Sequence, residues 1–225
     1  MKLAVLFSGG KDSVYALYKA MEKKGVVCLI TIISKNKESY MFHTPNIDLT
    51  ELQAQAIGLQ IIKKITKGKK EEELEDLKAA IKQAKEKFGI KGVVSGAFAS
   101  VYQKERIEKI CKELDLKCFS PLWGKNPEKL MREMIANGFK FILSSIAALG
   151  LDESWLGRVI TNEDIDKLVE LNKKIGIHIA FEGGEAETLM IDGPIFKKKI
   201  KIIKAEKKME NEHTGIYEII KAELQ

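Results

Sequence analysis

Cysteine is scarce in this chain of 225 residues, which has only Cys28, Cys111 and Cys118. Neither a C-x-x-C motif nor a zinc-ligand spacing occurs, so the sequence predicts no disulfide framework and no structural zinc site. No apolar run approaches the roughly 18 residues that a transmembrane helix needs. The first residues enter a strand directly and lack a secretory signal pattern. These absences together predict a cytoplasmic protein with no membrane attachment.

The composition is that of a globular protein with a charged surface. Hydrophobic residues make up 45% and charged residues 31% of the chain, which is long enough to bury a substantial core. Asn and Gln are few beside Lys and Glu, a bias typical of thermophilic proteins. The net charge of +6 reflects lysine-rich stretches at 63–64, 67–70 and 197–199. A solvated surface explains them; RNA or an acidic protein is the alternative partner, although no aromatic residues interleave the lysines.

The most informative stretch joins the first predicted strand to the first predicted helix. It consists of Ser8, Gly9, Gly10, Lys11, Asp12 and Ser13. Glycines let the backbone come close to phosphate oxygens, and the N–H groups at a helix start attract anions. The serines add hydroxyl donors, Lys11 adds a cation, and Asp12 can reach a magnesium ion. The stretch therefore predicts a phosphate-binding loop, against the alternative of a serine-capped glycine turn.

Two better-known nucleotide motifs are missing. G-x-x-x-x-G-K-[ST] occurs nowhere, and no G-x-G-x-x-G follows a predicted strand. The kinase or GTPase loop and the dinucleotide-binding loop are therefore excluded as explanations of residues 8–13.

Strands and helices alternate through the first half of the chain. Apolar strands are predicted at 3–7, 26–33, 60–65, 92–96 and 117–119, with helices between them, including one after a capping box at 48–51. This alternation predicts an α/β fold with a Rossmann-like parallel sheet flanked by helices. The break at 120–124 predicts a boundary between a domain of residues 1–120 and a smaller C-terminal α+β domain of residues 121–225. The latter is expected to hold helices at 128–136 and 163–175, a strand at 139–144, and a hairpin turning at 210–213.

Polar residues after predicted strand ends are further site candidates, because ligands bind at the carboxyl ends of parallel strands. His43 lies in the loop after the second strand, and Gly96 ends the fourth. Tyr102 can stack on a base, Gln103 can contact polar edges, and Arg106 can bind phosphate or carboxylate. The alternatives are a lone surface histidine and an ordinary helix start.

A second chemical stretch lies at residues 181–188. Glu182, Glu185 and Glu187 fall within six residues around two glycines. Like charges this close repel one another unless a cation, a metal or a basic partner lies among them. An exposed acidic turn is the alternative explanation.

Three stretches together carry a family resemblance: SGGKDS at 8–13, SGAFASVYQKERIE at 95–108 and EGGEAET at 182–188. They resemble the archaeal diphthine–ammonia ligases, a branch of the PP-loop (N-type) ATP pyrophosphatases with an adenine nucleotide alpha hydrolase-like fold. The resemblance implies ATP-dependent amidation of the diphthine carboxylate on translation elongation factor 2, the last step of diphthamide synthesis. The carboxylate would pass through an acyl-adenylate, releasing pyrophosphate and then AMP, and ammonia would supply the nitrogen.

The resemblance also implies roles for the candidate residues, with ATP and Mg²⁺ as cofactors. Asp12 would bind the metal. The expected catalytic residues are Lys11, Asp12, Glu182, Glu185 and Glu187. The expected ATP-binding residues are Ser8, Gly9, Gly10, Lys11, Asp12, Ser13, His43, Gly96, Tyr102, Gln103 and Arg106. A tRNA-modifying PP-loop enzyme and a non-catalytic ATP- or AMP-binding module are the alternative functions, and a homodimer is compatible with the sequence.

Overall fold

The computed structural model describes residues 1–22, 25–36, 46–69 and 72–225. Its first half contains β1 (Lys2–Leu6), α1 (Lys11–Met21), β2 (Gly25–Ser34), α2 (Thr50–Ile57), β3 (Gln60–Thr66), α3 (Glu72–Phe88), β4 (Gly92–Val94), α4 (Val101–Glu113) and β5 (Lys117–Phe119). Its second half contains α5 (Pro127–Ala136), β6 (Lys140–Ala147), α6 (Asn162–Ile175), β7 (Ala186–Asp192), β8 (Ile200–Asn211) and β9 (Thr214–Leu224).

The first five strands form a parallel sheet in the order β3-β2-β1-β4-β5. The central strand β1 is apolar from Leu3 to Leu6, and its residues 3–5 are buried on both faces of the sheet. Leu3 and Val5 face one hydrophobic core, and Ala4 faces the other. The predicted α/β class and flanking helices are confirmed. Strands β2 and β3 lie on one side of β1, and β4 and β5 lie on the other. The loops after β1 and β4 therefore flank the crevice in which ligands usually bind.

The remaining strands form an antiparallel sheet in the order β7-β6-β9-β8. The predicted hairpin is confirmed, with β8 and β9 meeting at residues 211–214. Strand β6 begins one residue later than the strand predicted at 139–144 and extends three residues beyond it. Strand β7 was not predicted, because the acidic residues and glycines of 181–188 indicate a loop rather than a strand.

One hydrophobic core joins the two halves of the chain. It includes Val14 and Leu17 of α1, Met131 of α5, Phe141 of β6 and Leu168 of α6. A second core lies between the other face of the parallel sheet and helices α3 and α4. The apolar surface between the halves is therefore continuous, and the division at residue 120 stays a prediction.

The capping box predicted at 48–51 does not form. Residues Ile47–Leu49 make a 3-10 turn that runs directly into α2, which begins at Thr50. The backbone N–H of Thr50 bonds to the carbonyl of Ile47, and the hydroxyl of Thr50 donates to the same oxygen at 2.6 Å. Carbonyl groups of the preceding turn thus replace the side-chain cap.

The histidine candidate at position 43 and Lys70 of a lysine-rich stretch lie outside the described residues. Within the described ranges, every helix is too short or too polar to cross a lipid bilayer.

Candidate active site

The loop between β1 and α1 brings the SGGKDS residues together around a helix start. Gly9 has a φ of +81°, a left-handed conformation that favours glycine. Gly10 is the N-cap residue of α1 and has no side chain with which to cap it. The Ser13 hydroxyl donates to the Gly10 carbonyl at 3.0 Å and accepts the Ser8 N–H at 3.3 Å. The loop is therefore closed by its own serine and presents the positive end of α1 to a ligand.

Lys11 and Asp12 form an ion pair at the base of this loop. The Lys11 Nζ lies 2.6 Å from Asp12 Oδ2, and only 2% of Lys11 is exposed. The second carboxylate oxygen, Asp12 Oδ1, is buried and has no hydrogen-bond partner among the described residues. A buried carboxylate oxygen without a partner is costly unless a ligand binds it.

The free oxygen of Asp12 fits a magnesium site of the kind found with nucleotides. Mg²⁺ is commonly held by one or two carboxylates together with substrate phosphates and water. The described residues contain no group of three or more His, Cys, Asp or Glu side chains that could hold a metal unaided. A metal here would therefore depend on phosphate oxygens for the rest of its shell.

Strand β7 packs directly on the predicted phosphate-binding loop, residues 8–13. The Met190 N–H donates to the Gly9 carbonyl at 2.9 Å, and the Lys11 N–H donates to Thr188 Oγ1 at 3.0 Å. A Cβ added at Gly10 would lie 3.1 Å from the Thr188 carbonyl oxygen, so the loop and the strand are closely apposed. The acidic stretch that leads into β7 is thus fixed beside the loop.

Gln53 of α2, which sequence reasoning missed, holds this junction together. Its side-chain Nε2 donates to the carbonyl oxygens of Gly9 and Met190, both at 2.8 Å. The side chain is fully buried, and its Oε1 has no partner among the described residues. Nothing in the local sequence marks this glutamine, because its two partners come from distant parts of the chain.

Glu185 shapes the loop of residues 176–185 between α6 and β7, which is called the acidic loop below. Its Oε1 accepts the backbone N–H of His178 at 2.9 Å, and its Oε2 accepts that of Gly183 at 2.8 Å. Both carboxylate oxygens therefore bind main-chain groups of the loop in which the residue lies. This geometry favours a structural role for Glu185 over proton transfer.

The carboxyl groups of Glu182 and Glu187 have raised pKa values. Burial, followed by the nearby charge of Asp12, raises the pKa of Glu182 to about 7, while Lys11 acts in the opposite direction. Burial also raises the pKa of Glu187 to about 7, against the attraction of Lys11 and with repulsion from Asp12 and Glu182. Carboxyl groups that titrate near neutrality are suited to accepting and donating protons.

Gly96 places the loop after β4 against the start of α1. A Cβ added at Gly96 would lie 2.9 Å from the Ser13 nitrogen and 3.0 Å from the Asp12 carbonyl carbon. Glycine is therefore needed for close backbone approach, and the two loops meet at the expected crevice.

The other candidates of this region lie on α4. The Arg106 guanidinium carbon lies 3.3 Å from the centre of the Tyr102 ring, and its Nη1 donates to the Tyr102 carbonyl at 3.4 Å. The Gln103 N–H donates to Ser100 Oγ, which caps the helix. Within the described chain, the side chains of Gln103 and Arg106 make no hydrogen bond or ion pair to the phosphate-binding loop. Their roles in ATP binding stay predictions.

His178 is a further residue that the sequence analysis missed. Its Nδ1 accepts the backbone N–H groups of Ala180 and Glu182, at 3.2 and 3.3 Å. Burial lowers the pKa of this histidine from its ordinary value. The imidazole is thus part of the acidic loop.

Comparison with known proteins identifies the family. The profile described as diphthamide synthase N-terminal domain matches residues 1–118, and the C-terminal domain profile of the same family matches residues 126–224. The diphthine–ammonia ligase of Mus musculus is 38% identical over 92% of this chain and 84% of its own length. Those of Rattus norvegicus and Homo sapiens are 39% and 35% identical, each over 89% of this chain and 82% of their own length.

A solved structure from Methanocaldococcus jannaschii, described as a predicted subunit of a tRNA methyltransferase, also aligns. Its TM-score is 0.41 at 18% identity, over 86% of this chain and 98% of that one, a likeness too weak to inform function. An archaeal or thermophilic source of the present chain stays a prediction. The resemblance drawn from the three motifs is confirmed: the chain belongs to the diphthamide synthase family.

Proposed function

We propose that this protein is an ATP-dependent diphthine–ammonia ligase that completes diphthamide on translation elongation factor 2. One observation carries the proposal: strand β7 is hydrogen-bonded to the phosphate-binding loop through Met190 and Thr188. The carboxylates of Glu182 and Glu187 therefore share one site with Lys11 and Asp12. A nucleotide loop beside titratable carboxylates is the arrangement that activation and amidation of a carboxylate require. The ligase names of the relatives support the same reaction and do not favour a tRNA-modifying enzyme.

The phosphate-binding loop is proposed to hold ATP by its triphosphate. The start of α1 and the Lys11 ammonium attract the phosphates. Asp12 Oδ1 would hold Mg²⁺, which would neutralise charge on the phosphates. The close packing of Gly96 against Ser13 supports a fixed loop that needs little rearrangement.

The proposed reaction has two steps, adenylation of the carboxylate and its amidation. In the first, an oxygen of the diphthine carboxylate attacks the α-phosphorus of ATP, the α–β bridge breaks, and pyrophosphate leaves. In the second, ammonia attacks the acyl carbon of the adenylate, AMP leaves with the bonding electrons, and the nitrogen loses a proton. Adenylation is needed because the oxide of a free carboxylate is a poor leaving group. Lys11 would stabilise the charge that develops on pyrophosphate in the first step.

Glu182 and Glu187 are proposed to move the proton in the second step. Ammonium is unreactive as a nucleophile, so a base that titrates near neutrality can release ammonia within the site. The pKa of each carboxyl is raised to about 7, so a fraction of each is ionised at neutral pH. Glu185 would keep these two carboxylates in place rather than react, because both of its oxygens are already hydrogen-bonded.

Mass analysis of elongation factor 2 tests the proposal. A factor that carries diphthine is incubated with the protein, ATP and ammonium, and the modified peptide is then fragmented. The expected result is replacement of the terminal OH by NH₂ on the modified histidine, in a reaction that fails if ATP or ammonium is omitted. An unchanged peptide in the complete mixture would contradict the proposed function.

A further inference from the structure

His178 is bonded to the loop that carries the catalytic carboxylates. The residue lies just after α6, and its Nδ1 accepts the N–H of Ala180 at 3.2 Å and that of Glu182 at 3.3 Å. Its ring and that of Phe98 make a T-shaped contact, with ring centroids 6.2 Å apart. The imidazole thus lies between the loop after β4 and the acidic loop.

These contacts define the state of the imidazole. A nitrogen that accepts two N–H groups carries no proton, so the ring is neutral and its single hydrogen is on Nε2. Burial lowers the pKa of His178 from its ordinary value, and Lys11 acts in the same direction. The charges of Glu185 and Asp12 oppose that shift without reversing it. The neutral form is therefore favoured at the pH of the reaction.

The acidic loop is closed by two side chains that accept main-chain N–H groups. Glu185 accepts from residues 178 and 183, and His178 accepts from residues 180 and 182. The backbone of Glu182 is therefore held by the imidazole on one side. Phe181, with a φ of +63°, is in a left-handed conformation that is unusual for a large residue, so the turn depends on these contacts.

We propose that His178 is a positioning residue that holds the Glu182 carboxylate at the reacting centre through Nδ1 rather than through Nε2. The inference rests on the proposed function, because the task that it assigns to Glu182 belongs to that reaction. Loss of the Nδ1 acceptor would leave two N–H groups of the loop unsatisfied and would let Glu182 move. ATP binding would not suffer, since the phosphate-binding loop does not bond to His178.

Two substitutions of His178 distinguish the roles of its two ring nitrogens. The amide oxygen of asparagine occupies the position of Nδ1, whereas the amide of glutamine reaches the position of Nε2. H178N should therefore keep amide formation within about threefold of the wild type. H178Q should lose about tenfold or more in kcat, a size typical of a misplaced reacting group, with the KM for ATP within about twofold. His213, whose Nδ1 lies 3.0 Å from the Leu151 carbonyl at the far hairpin, provides a matched control, and H213N should leave kcat unchanged.

Hydrogen exchange gives a measurement that does not depend on turnover. The amides of residues 180 and 182 should exchange faster in H178Q than in H178N or the wild type, while the core amides of β1 remain protected. An equal kcat loss in H178N and H178Q would overturn the inference, as would a wild-type kcat in H178Q. If the wild type itself forms no amide, the proposed function fails, and that result is distinct from any exchange difference among the variants.

Discussion

At the scale of single residues, the Lys11–Asp12 pair includes a buried carboxylate oxygen that has no hydrogen-bond partner among the described residues. The other oxygen of Asp12 binds the Lys11 ammonium. A pair of this kind is costly as a mere structural feature, because a buried charge needs full hydrogen bonding. Binding of a metal and phosphates offsets that cost, so we expect the pair to serve the nucleotide.

Lys11→Ala should reduce turnover more than stability. Loss of a charge-assisted hydrogen bond of roughly 1.5–3 kcal/mol corresponds to about 10- to 100-fold in kcat/KM for ATP. Lys19→Ala is the matched control on the same helix, because Lys19 pairs with Glu133 at 2.9 Å, outside the site. Steady-state kinetics of both variants provide the test. Equal activity of Lys11→Ala and the wild type would remove Lys11 from the mechanism.

The raised pKa of Glu187 predicts a pH-dependent stability. The folded state holds this proton more tightly than the unfolded state, in which the ordinary value of 4.5 applies, and the folded pKa is about 7. Ionisation of Glu187 therefore destabilises the folded state. The stability that the protonated carboxyl contributes is fully present below about pH 4.5 and is lost as pH rises through about 7.

Glu187→Gln should remove this loss because the amide stays neutral. The stability advantage of the variant should grow between about pH 5 and about pH 8.5 by at most roughly 3 kcal/mol. Urea denaturation at each pH measures it. Glu170→Gln on the exposed surface of α6 is the control and should show no pH-dependent gain. If the difference in unfolding free energy between Glu187→Gln and the wild type stayed constant with pH, folding would not raise the pKa of Glu187.

At the scale of elements, the strand–loop–helix unit was predictable and its partner strand was not. The phosphate-binding loop lies between an apolar strand and a helix that are contiguous in sequence, so local rules suffice. Strand β7 is fixed by Met190 and Thr188 bonding to residues 9 and 11, far away in the chain. Its own sequence mixes polar and apolar residues and follows an acidic turn, so it carries no clear strand pattern.

The positioning residues were missed for a related reason. Gln53 lies in a short helix and gives no sequence sign that its amide bridges two distant carbonyls. His178 is a single histidine whose partners are main-chain N–H groups, which any residue supplies. Glu185 was expected to be catalytic because sequence shows charge and spacing but not the occupation of both oxygens. Residue type and spacing therefore point to candidate residues, whereas their contacts become visible only in the fold.

Gly96→Ala tests the contact between the β4 loop and α1. The added Cβ would lie 2.9 Å from a backbone nitrogen that cannot move away alone, so the start of α1 must shift. Such overpacking costs about 1–3 kcal/mol, and we expect ATP affinity measured by calorimetry to fall by about tenfold. Gly25→Ala is the control, because its Cβ would meet only the Met1 carbonyl oxygen, at 3.9 Å. Equal affinities for the two variants would contradict the proposed role of this junction.

At the scale of the whole molecule, the two sheets share one hydrophobic core, and both contribute residues to the candidate site. The predicted phosphate-binding loop follows the central strand of the parallel sheet, and the acidic loop leads into the edge strand β7 of the antiparallel sheet. Neither half contains both sets of groups. The predicted division at residue 120 would therefore separate ATP binding from the groups proposed to act on the acyl carbon, and activity would need the entire described fold.

The proposed substrate is a single modified side chain on a protein, not a polyanion. Specificity should therefore reside in the crevice between the sheets rather than in the surface lysines. Several of those lysines already pair with acidic neighbours, for example Lys64 with Asp76 and Lys69 with Glu72. An enzyme that acts on RNA would instead depend on unpaired surface charge, and its affinity would fall steeply with salt.

Pyrophosphate release measured with three separate additions tests the central claim most directly. The additions are elongation factor 2 bearing diphthine, the same factor without the modification, and total tRNA, each with ATP and ammonium. We predict release of pyrophosphate and AMP with the diphthine-bearing factor alone, because only it offers a carboxylate for adenylation. Stimulation by tRNA, or ADP and phosphate as the main products, would contradict the account.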